Sequence, residues 1–367
     1  MPERSGTGFI DMMKKRIVWI ELLRIAACAA VVLLHAASQH FRDVPVDTFT
    51  WKVSNFYHGI SRFAVPCFVM ISGALYLDKK RDWNLKKLWL GNILTVAAAY
   101  LFWQIFYGAY RIAVHGSPAV GSAEFVKKML VYVSDSYFHL WYLPMLMGLM
   151  IITPLLWEIV NSRRGKQWEE YLILLFLIFK ILPYTIAYLP LPWMDHLKSL
   201  MNTVQPVLAV DFTGYFILGH YLYAYDLPKK AERAVFAAGP VLIIAGIGLC
   251  QWRSLALDKA VQSFYENYTV SAFFWSAAVF LFFKNCLGRI TWDERQERVI
   301  CYLGSCTFGV YLIHAFFRDI LHRAGIDSMM IDNTAAAVPL TALAILALSF
   351  AAAAVLKCIP VIKKWIV

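Results

Sequence analysis

The sequence has 367 residues, of which 60% are hydrophobic and 16% are charged, and its mean hydropathy is +0.57. This composition lies outside the range of soluble globular domains and predicts a polytopic membrane protein. The formal net charge of +11 requires no nucleic-acid partner, because an excess of Lys and Arg on cytoplasmic loops is usual in membrane proteins. The same charge suits anionic lipid headgroups or an anionic cytoplasmic ligand.

Apolar segments long enough to cross a hydrocarbon core about 30 Å thick recur along the chain. They predict an all-α integral membrane protein with ten transmembrane helices and no soluble domain. The predicted spans are 17–37, 58–77, 88–111, 139–158, 170–189, 207–225, 234–250, 268–284, 299–321 and 336–357.

Lys and Arg residues predict how these spans are oriented. If the N-terminus is cytoplasmic, 22 of the 35 Lys and Arg residues lie on the cytoplasmic side, so we expect both termini to face the cytoplasm. The chain then divides into a cytoplasmic segment 1–16, a membrane domain 17–357 and a cytoplasmic tail 358–367.

The first predicted span carries ionisable side chains that a membrane helix normally excludes. Glu21, Arg24 and His35 lie within ELLRIAACAAVVLLHAAS, residues 21–38. Such groups cost a few kcal/mol or more in a bilayer, so they persist mostly where they are paired or functional. Arg24 and His35 are 11 residues apart, which is about 16 Å along a helix and close to a whole number of turns. We therefore expect one polar face that lines a cavity, with Glu21 close enough to pair with Arg24.

Other spans place ionisable groups at a similar depth. Arg62 follows His58 by one helical turn in span two, Asp211 opens span six, and Tyr311 precedes His314 by three residues in span nine. With the predicted topology, most histidines fall in the outer half of the membrane or outside it. These are His35, His40, His58, His115, His139, His196, His314 and His322. A buried histidine aligned with a buried arginine favours function, whereas an outer-loop histidine such as His115 needs no function to explain it.

No metal or cysteine motif is recognisable. None of the close histidine pairs has the i, i+4 spacing that places two imidazoles on one metal from a single helix, so we expect no metal site. The seven cysteines include no CxxC pair and predict neither a disulfide framework nor a zinc cluster. A G-x-S-x-G serine motif is also absent. Lys180, in the middle of span five, has no predicted role.

Four segments, in order, resemble the acyltransferase-3 family of bacterial membrane O-acyltransferases. The family's opening helix, in which ten residues separate an arginine from a histidine, is similar to WIELLRIAACAAVVLLHAAS. Its arginine-containing second span resembles SRFAVPCFVMISGALYL, its HLWFL…TPLL span resembles FHLWYLPMLMGLMIITPLL, and its S-x-G-x-YLxH span resembles LGSCTFGVYLIHAFF. The chain is also similar to stand-alone members that O-acetylate cell-surface glycans, such as the enterobacterial common antigen acetyltransferase.

The resemblance implies transfer of an acyl group, usually acetyl, from cytoplasmic acyl-CoA to a glycan hydroxyl at the bacterial inner membrane. Acyl-CoA, a lipid-linked or cell-surface glycan and membrane lipids are the implied partners, with no bound cofactor. On this basis His35 is the expected general base or transient acyl carrier, and Arg24, held by Glu21, binds the donor. Arg62, with His58 beside it, is expected to stabilise the oxyanion or orient the glycan. The remaining residues expected to bind substrate are His139, Asp211, Tyr311 and His314.

Two other classes of function are consistent with a polar stripe inside a helical bundle. An exporter of polysaccharide or lipid-linked glycan would move its substrate without changing it covalently, whereas an acyltransferase leaves an ester that mild alkali removes. A non-catalytic scaffold would lose nothing when His35 or Arg24 is replaced. The buried ionisable residues argue against a scaffold.

Overall fold

A computed structural model of the protein describes residues 17–81, 84–114, 120–188, 211–360 and 365. Within these residues the chain forms helices and no strand. The α-helices are α1 Val18–Ala37, α2 Phe49–Ile60, α3 Ala64–Tyr76, α4 Leu85–Lys87, α5 Leu94–Val114, α6 Ala123–Ser134, α7 Tyr142–Val160, α8 Gly165–Phe176, α9 Leu182–Ile186, α10 Phe212–Ala224, α11 Lys229–Leu257, α12 Val270–Asn285, α13 Glu294–Arg323 and α14 Thr334–Leu356. Three 3₁₀ turns span Ser61–Phe63, Ser263–Tyr265 and Leu287–Arg289, and two π-helical segments span Leu88–Ile93 and Leu177–Ile181.

The prediction of an all-helical membrane protein is confirmed. Among the described residues, eight continuous helical segments are long and apolar enough to cross a membrane. They are Val18–Ala37, Phe49–Tyr76, Leu85–Val114, Tyr142–Val160, Lys229–Leu257, Ser263–Arg289, Glu294–Arg323 and Thr334–Leu356.

The other two predicted spans differ from these eight. Span five corresponds to α8 and α9, which with the π-helical segment between them carry Glu169, Glu170 and Lys180. Span six corresponds to α10, of which 13 residues are described. Residues 189–210, which include the end of predicted span five and the start of predicted span six, lie outside the described part of the chain. The count of ten spans and the orientation of the bundle therefore stay predictions.

Helix α1 occupies the centre of the bundle and positions the polar stripe. It contacts α2, α3, α12, α13 and α14. Its buried side chains include Ile20, Leu23, Ala27 and Val32, which pack against these neighbours. Because α1 is surrounded on most sides, its ionisable residues face other helices.

Helices α3 and α10 pack closely through two glycines. A Cβ atom on Gly73 would overlap the backbone of Phe216, and a Cβ on Gly219 would overlap the backbone of Met70. Small residues allow this kind of close backbone approach between membrane helices. The pair therefore fixes the distance between α3 and α10.

We expect Gly73→Ala to destabilise the protein, because the added methyl group forces α3 away from Phe216. Overpacking of this kind costs about 1–3 kcal/mol, so the midpoint of thermal unfolding in detergent should fall by several degrees. Gly148→Ala is the matched control, since no atom lies within 4 Å of its Cβ position and alanine favours a helix over glycine. Equal midpoints for the two variants would contradict the close packing of α3 on α10.

Candidate active site

A cavity of about 330 Å³ lies beside α1 and is lined by two of its three ionisable residues, Arg24 and His35, whereas Glu21 is not part of the lining. Its volume is at the lower end of the range for small-molecule sites, about 300–1,000 Å³. Side chains from α1, α3, α5, α7 and α13, and from the segment just before α7, line it. The polar lining consists of Arg24, His35, Ser72, His139, Tyr142, Thr307 and Tyr311. The rest of the lining is Val31, Val65, Phe68, Ile71, Val96, Trp141, Leu146 and Phe308.

Arg24 marks one end of the cavity and is oriented by Glu21. Arg24 Nη1 lies 3.9 Å from Glu21 Oε1. Glu21 is 5% exposed and Arg24 is 29% exposed, so the carboxylate is fixed while the guanidinium stays accessible. Gly304 on α13 makes room for Glu21, because a Cβ there would overlap the carboxylate.

Three histidine rings meet at the opposite end of the cavity. The ring of His314 stacks on that of His35 at a centroid distance of 5.2 Å and contacts His139 edge to face at 5.0 Å. His139 and His314 are buried, whereas His35 is half-buried. Neither ring nitrogen of His35 bonds to another described residue. This ring is therefore available to a ligand in the cavity.

Backbone carbonyls fix the protons on the two buried histidines. His314 Nδ1 lies 2.6 Å from the carbonyl oxygen of Tyr311, and His139 Nε2 lies 3.3 Å from that of Leu312. A carbonyl only accepts hydrogen bonds, so each of these nitrogens carries a proton and donates it. The opposite nitrogens, His314 Nε2 and His139 Nδ1, are buried without a partner among the described residues. An unsatisfied buried acceptor costs about 1–3 kcal/mol, so a ligand that donates to these atoms would be stabilised here.

Tyr311 connects the histidines to the cavity wall. Its hydroxyl donates to the carbonyl oxygen of His139 at 2.6 Å, and its ring lies 5.4 Å from the His139 ring. The Tyr142 ring lies 5.6 Å from Tyr311. This chain of contacts holds the segment before α7 against α13, which places His139 beside His314.

Arg318, for which the sequence pattern predicted no role, also lies near His35. Its guanidinium carbon lies 4.5 Å from the centroid of the Phe138 ring. The Phe138 and His35 rings pack edge to face, with their centroids 5.0 Å apart. No described carboxylate pairs with Arg318, because the neighbouring Asp319 accepts from Arg323 Nε at 2.9 Å and from the Tyr110 hydroxyl. The sequence did contain a signal for this position. The spacing Tyr311-x-x-His314-x-x-x-Arg318 places the three residues on one face of the helix.

Arg62 and His58 form a separate cluster and are not part of the cavity lining. Arg62 Nη2 lies 3.3 Å from each ring nitrogen of His58 and donates to Gln262 Oε1 at 3.2 Å. The Tyr265 hydroxyl lies 3.3 Å from His58 Nδ1 and donates to Asn55 Oδ1 at 2.8 Å. These contacts join α2 to the segment before α12. Arg62 and His58 were expected to line the same cavity as His35. They do not, because two side chains at equal depth in the membrane can face different ways.

Asp211 also lies away from the cavity lining. It pairs with Lys180, with Lys180 Nζ 2.6 Å from Asp211 Oδ1. The ammonium group lies over the Tyr268 ring at 4.5 Å. Lys180 therefore joins the π-helical segment of span five to the start of α10. A role of Asp211 in binding substrate stays a prediction.

Comparison with known proteins gives one family match. A family model described as an acyltransferase domain, the acyltransferase-3 model, matches residues 17–358. No curated protein and no solved structure matches the chain. Since the match covers all but the two ends of the sequence, the chain belongs to the acyltransferase-3 family and is a membrane-embedded O-acyltransferase.

Proposed function

We propose that the protein transfers an acetyl group from cytoplasmic acetyl-CoA to a hydroxyl of a lipid-linked or cell-surface glycan at the bacterial inner membrane. The observation that carries this proposal is the single cavity that joins Arg24 to His35. The two residues are separated by 11 positions of α1, or about 16 Å. An anion-binding group at one end and an imidazole at the other suit a donor and an acceptor that arrive from opposite sides.

The Arg24 end is the proposed donor site. A guanidinium presents several N–H donors in a fixed plane, which suits the carbonyl groups and phosphates of an acyl-CoA. Glu21 holds this group from behind at 3.9 Å. The apolar wall between the ends, which includes Val31, Phe68 and Ile71, would surround the pantetheine arm and exclude water from the thioester.

The His35 end is the proposed reaction centre. In direct transfer, a nitrogen of His35 takes the proton of the glycan hydroxyl while the oxygen attacks the thioester carbonyl. The new C–O bond forms, the C–S bond breaks, and the proton passes from the imidazolium to the CoA thiolate. In the second route, a nitrogen of His35 attacks the thioester carbonyl, the C–S bond breaks and CoA leaves as the thiolate. The glycan oxygen then attacks the acyl-imidazole, the C–N bond breaks, and the hydroxyl proton passes to the released imidazole or to the CoA thiolate. Both routes use a ring nitrogen of His35 that bonds to no other described residue, and neither route requires a cofactor.

The groups around His35 are proposed to position the acceptor. His139, which lines the cavity, has a buried acceptor in Nδ1 that a sugar hydroxyl group would satisfy by donating to it. His314 is not part of the lining and would act by stacking on the His35 ring. Arg318, across Phe138 from His35, would bind the developing oxyanion or a polar group of the sugar. We therefore assign to Arg318 the role that the sequence suggested for Arg62.

Labelled acetyl-CoA tests the proposed reaction. Membranes containing the protein should transfer radioactive acetyl groups to a lipid-linked glycan extract, and mild alkali should release the label. Membranes without the protein should give only background. A glycan that changes its side of the membrane without gaining an ester would instead support the export alternative.

The packing of Glu21 against Gly304 predicts an effect on the donor. Gly304→Ala displaces the Glu21 carboxylate, so Arg24 loses the group that orients it. We expect KM for acetyl-CoA to rise about tenfold, the equivalent of about 1.4 kcal/mol, with a smaller change in kcat. Gly248→Ala is the control, because no atom lies within 4 Å of its Cβ. Unchanged KM in the folded Gly304→Ala variant would contradict the proposed role of Glu21.

A further inference from the structure

A second group of histidines lies at the ends of α1 and α13, beyond the cavity. His40 follows α1, His322 is in the last turn of α13, and Asp327 lies in the loop after it. Asp327 Oδ2 is 3.1 Å from His40 Nε2 and 2.9 Å from His322 Nδ1. One potential ligand atom of each residue lies within 4.8 Å of the others. Two imidazoles thus share one carboxylate oxygen.

The end of α13 builds this arrangement through a glycine. Gly325 has φ +77°, a conformation that only glycine adopts without strain. Its N–H bonds to the carbonyl of His322 and that of Ile326 bonds to Leu321, at 3.0 and 2.8 Å. This pair of hydrogen bonds is a Schellman motif, which ends a helix and reverses the chain. The reversal brings Asp327 back onto His322.

Two further contacts hold Asp327 in place for His40. Asp327 Oδ1 accepts from the backbone N–H of Met329 at 2.8 Å. The N–H of Ser328 donates to Gln39 Oε1 at 3.2 Å, which fixes the loop to the end of α1. Asp327 is therefore fixed at the point where the two imidazoles meet, with Oδ1 bound by a backbone N–H and Oδ2 facing both rings.

We propose that His40, His322 and Asp327 bind a zinc ion, with water as the fourth ligand. Two imidazole nitrogens and one carboxylate oxygen form a common three-residue ligand set for Zn²⁺. Ligand atoms about 2.0–2.1 Å from a tetrahedral zinc are separated by roughly 3.3 Å, close to the two N–O distances given above. His322 is 46% exposed, so an ion and its water reach the site from solvent.

The position of the site gives the ion a structural role. His40 lies five residues after His35, and His322 lies eight residues after His314. A zinc ion would therefore clamp together the outer ends of the two helices whose histidines stack in the cavity. The ligands come from segments 287 residues apart in sequence, which is why spacing within single helices gave no sign of a metal site.

Direct zinc binding tests this proposal. The full chain, purified with a tag that contains no histidine and stripped with a chelator, should bind one equivalent of Zn²⁺ by elemental analysis. Its unfolding midpoint should rise with Zn²⁺ and stay unchanged with Mg²⁺, which prefers oxygen ligands. Binding should weaken in acid, because the imidazoles must be deprotonated to bind the metal.

Variants locate the bound ion. Asp327→Asn and His40→Gln keep hydrogen-bonding capacity and should each weaken zinc binding at least tenfold, as even loss of an outer-sphere partner costs 10- to 100-fold. Asp332→Asn is the matched control, because it removes an exposed carboxylate from the same loop. Retention of wild-type affinity in Asp327→Asn would place the zinc elsewhere and overturn the proposal. So would failure of the folded wild-type chain to bind zinc.

Discussion

His35→Ala should reduce acyl transfer by about 10²- to 10⁴-fold, the range that a positioned general base contributes. The ring it removes is the one at the cavity end whose nitrogens bond to no other described residue. Its contacts with Phe138 and His314 are ring contacts, so the main loss should be chemical. Initial rates with saturating labelled acetyl-CoA measure the effect.

Leu33→Ala is the control for packing. Leu33 lies on the same helix and packs with Val338 and Ala342, in a cluster outside the cavity lining. Its truncation removes a comparable volume from α1 and should leave most of the activity. If His35→Ala retains wild-type activity, or if Leu33→Ala loses as much, His35 is not the reacting group.

The two proposed routes through His35 give different results without an acceptor. If His35 carries the acyl group, wild-type protein incubated with labelled acetyl-CoA alone becomes labelled, and nucleophiles such as hydroxylamine remove the label. If His35 acts only as a base, the protein stays unlabelled and turnover requires the glycan. Added imidazole should partly restore activity to His35→Ala in the second case, since free imidazole can take the hydroxyl proton.

Arg24→Ala should lower kcat/KM for acetyl-CoA by about 10- to 100-fold, mainly through KM. A hydrogen bond to a charged group contributes about 1.5–3 kcal/mol, and the variant also leaves the buried carboxylate of Glu21 without this counter-charge. Arg24→Lys should recover part of the loss, because lysine keeps the charge but not the planar set of donors.

Arg163→Ala is the control for charge. Arg163 is exposed in the loop between α7 and α8, on the side predicted to be cytoplasmic. Its replacement removes one positive charge far from the cavity lining and should leave KM unchanged. A similar KM increase in both variants would mean that the donor responds to net surface charge and not to Arg24.

The helical membrane fold and the polar face of the first helix could be predicted from the sequence, for a physical reason. A bilayer requires long apolar helices, so charged residues inside them stand out and their spacing defines a face. Arg24 and His35 were expected on one face, and both line one cavity. His139 and Tyr311 were expected beside them and also belong to the lining. His314 was expected there too, but it is not part of the lining and stacks on the His35 ring.

Sequence spacing does not determine which way a side chain faces, and this explains why two residues lie away from their predicted position and why Arg318 was not predicted. Arg62 and Asp211 have suitable depth, but depth gives no rotation about the helix axis. The contacts of Arg62 are with His58 and Gln262, and Asp211 pairs with Lys180. Arg318 lies near the end of its helix, where an arginine usually reaches for the interface. Only the fold reveals that it turns toward Phe138 instead. The cluster at Asp327 depends on a helix reversal and a loop contact that no local pattern encodes.

The central claim is that one cavity connects a cytoplasmic donor site to an outward acceptor site, and sealed membrane vesicles test it most directly. Acetyl-CoA does not cross the membrane, so it reaches only the face on the outside of the vesicle. Inside-out vesicles supplied with labelled acetyl-CoA should form glycan esters that an added esterase cannot reach until the vesicles are opened, and His35→Ala vesicles should form none. Labelling by right-side-out vesicles, or esters that the esterase removes from intact inside-out vesicles, would contradict the account.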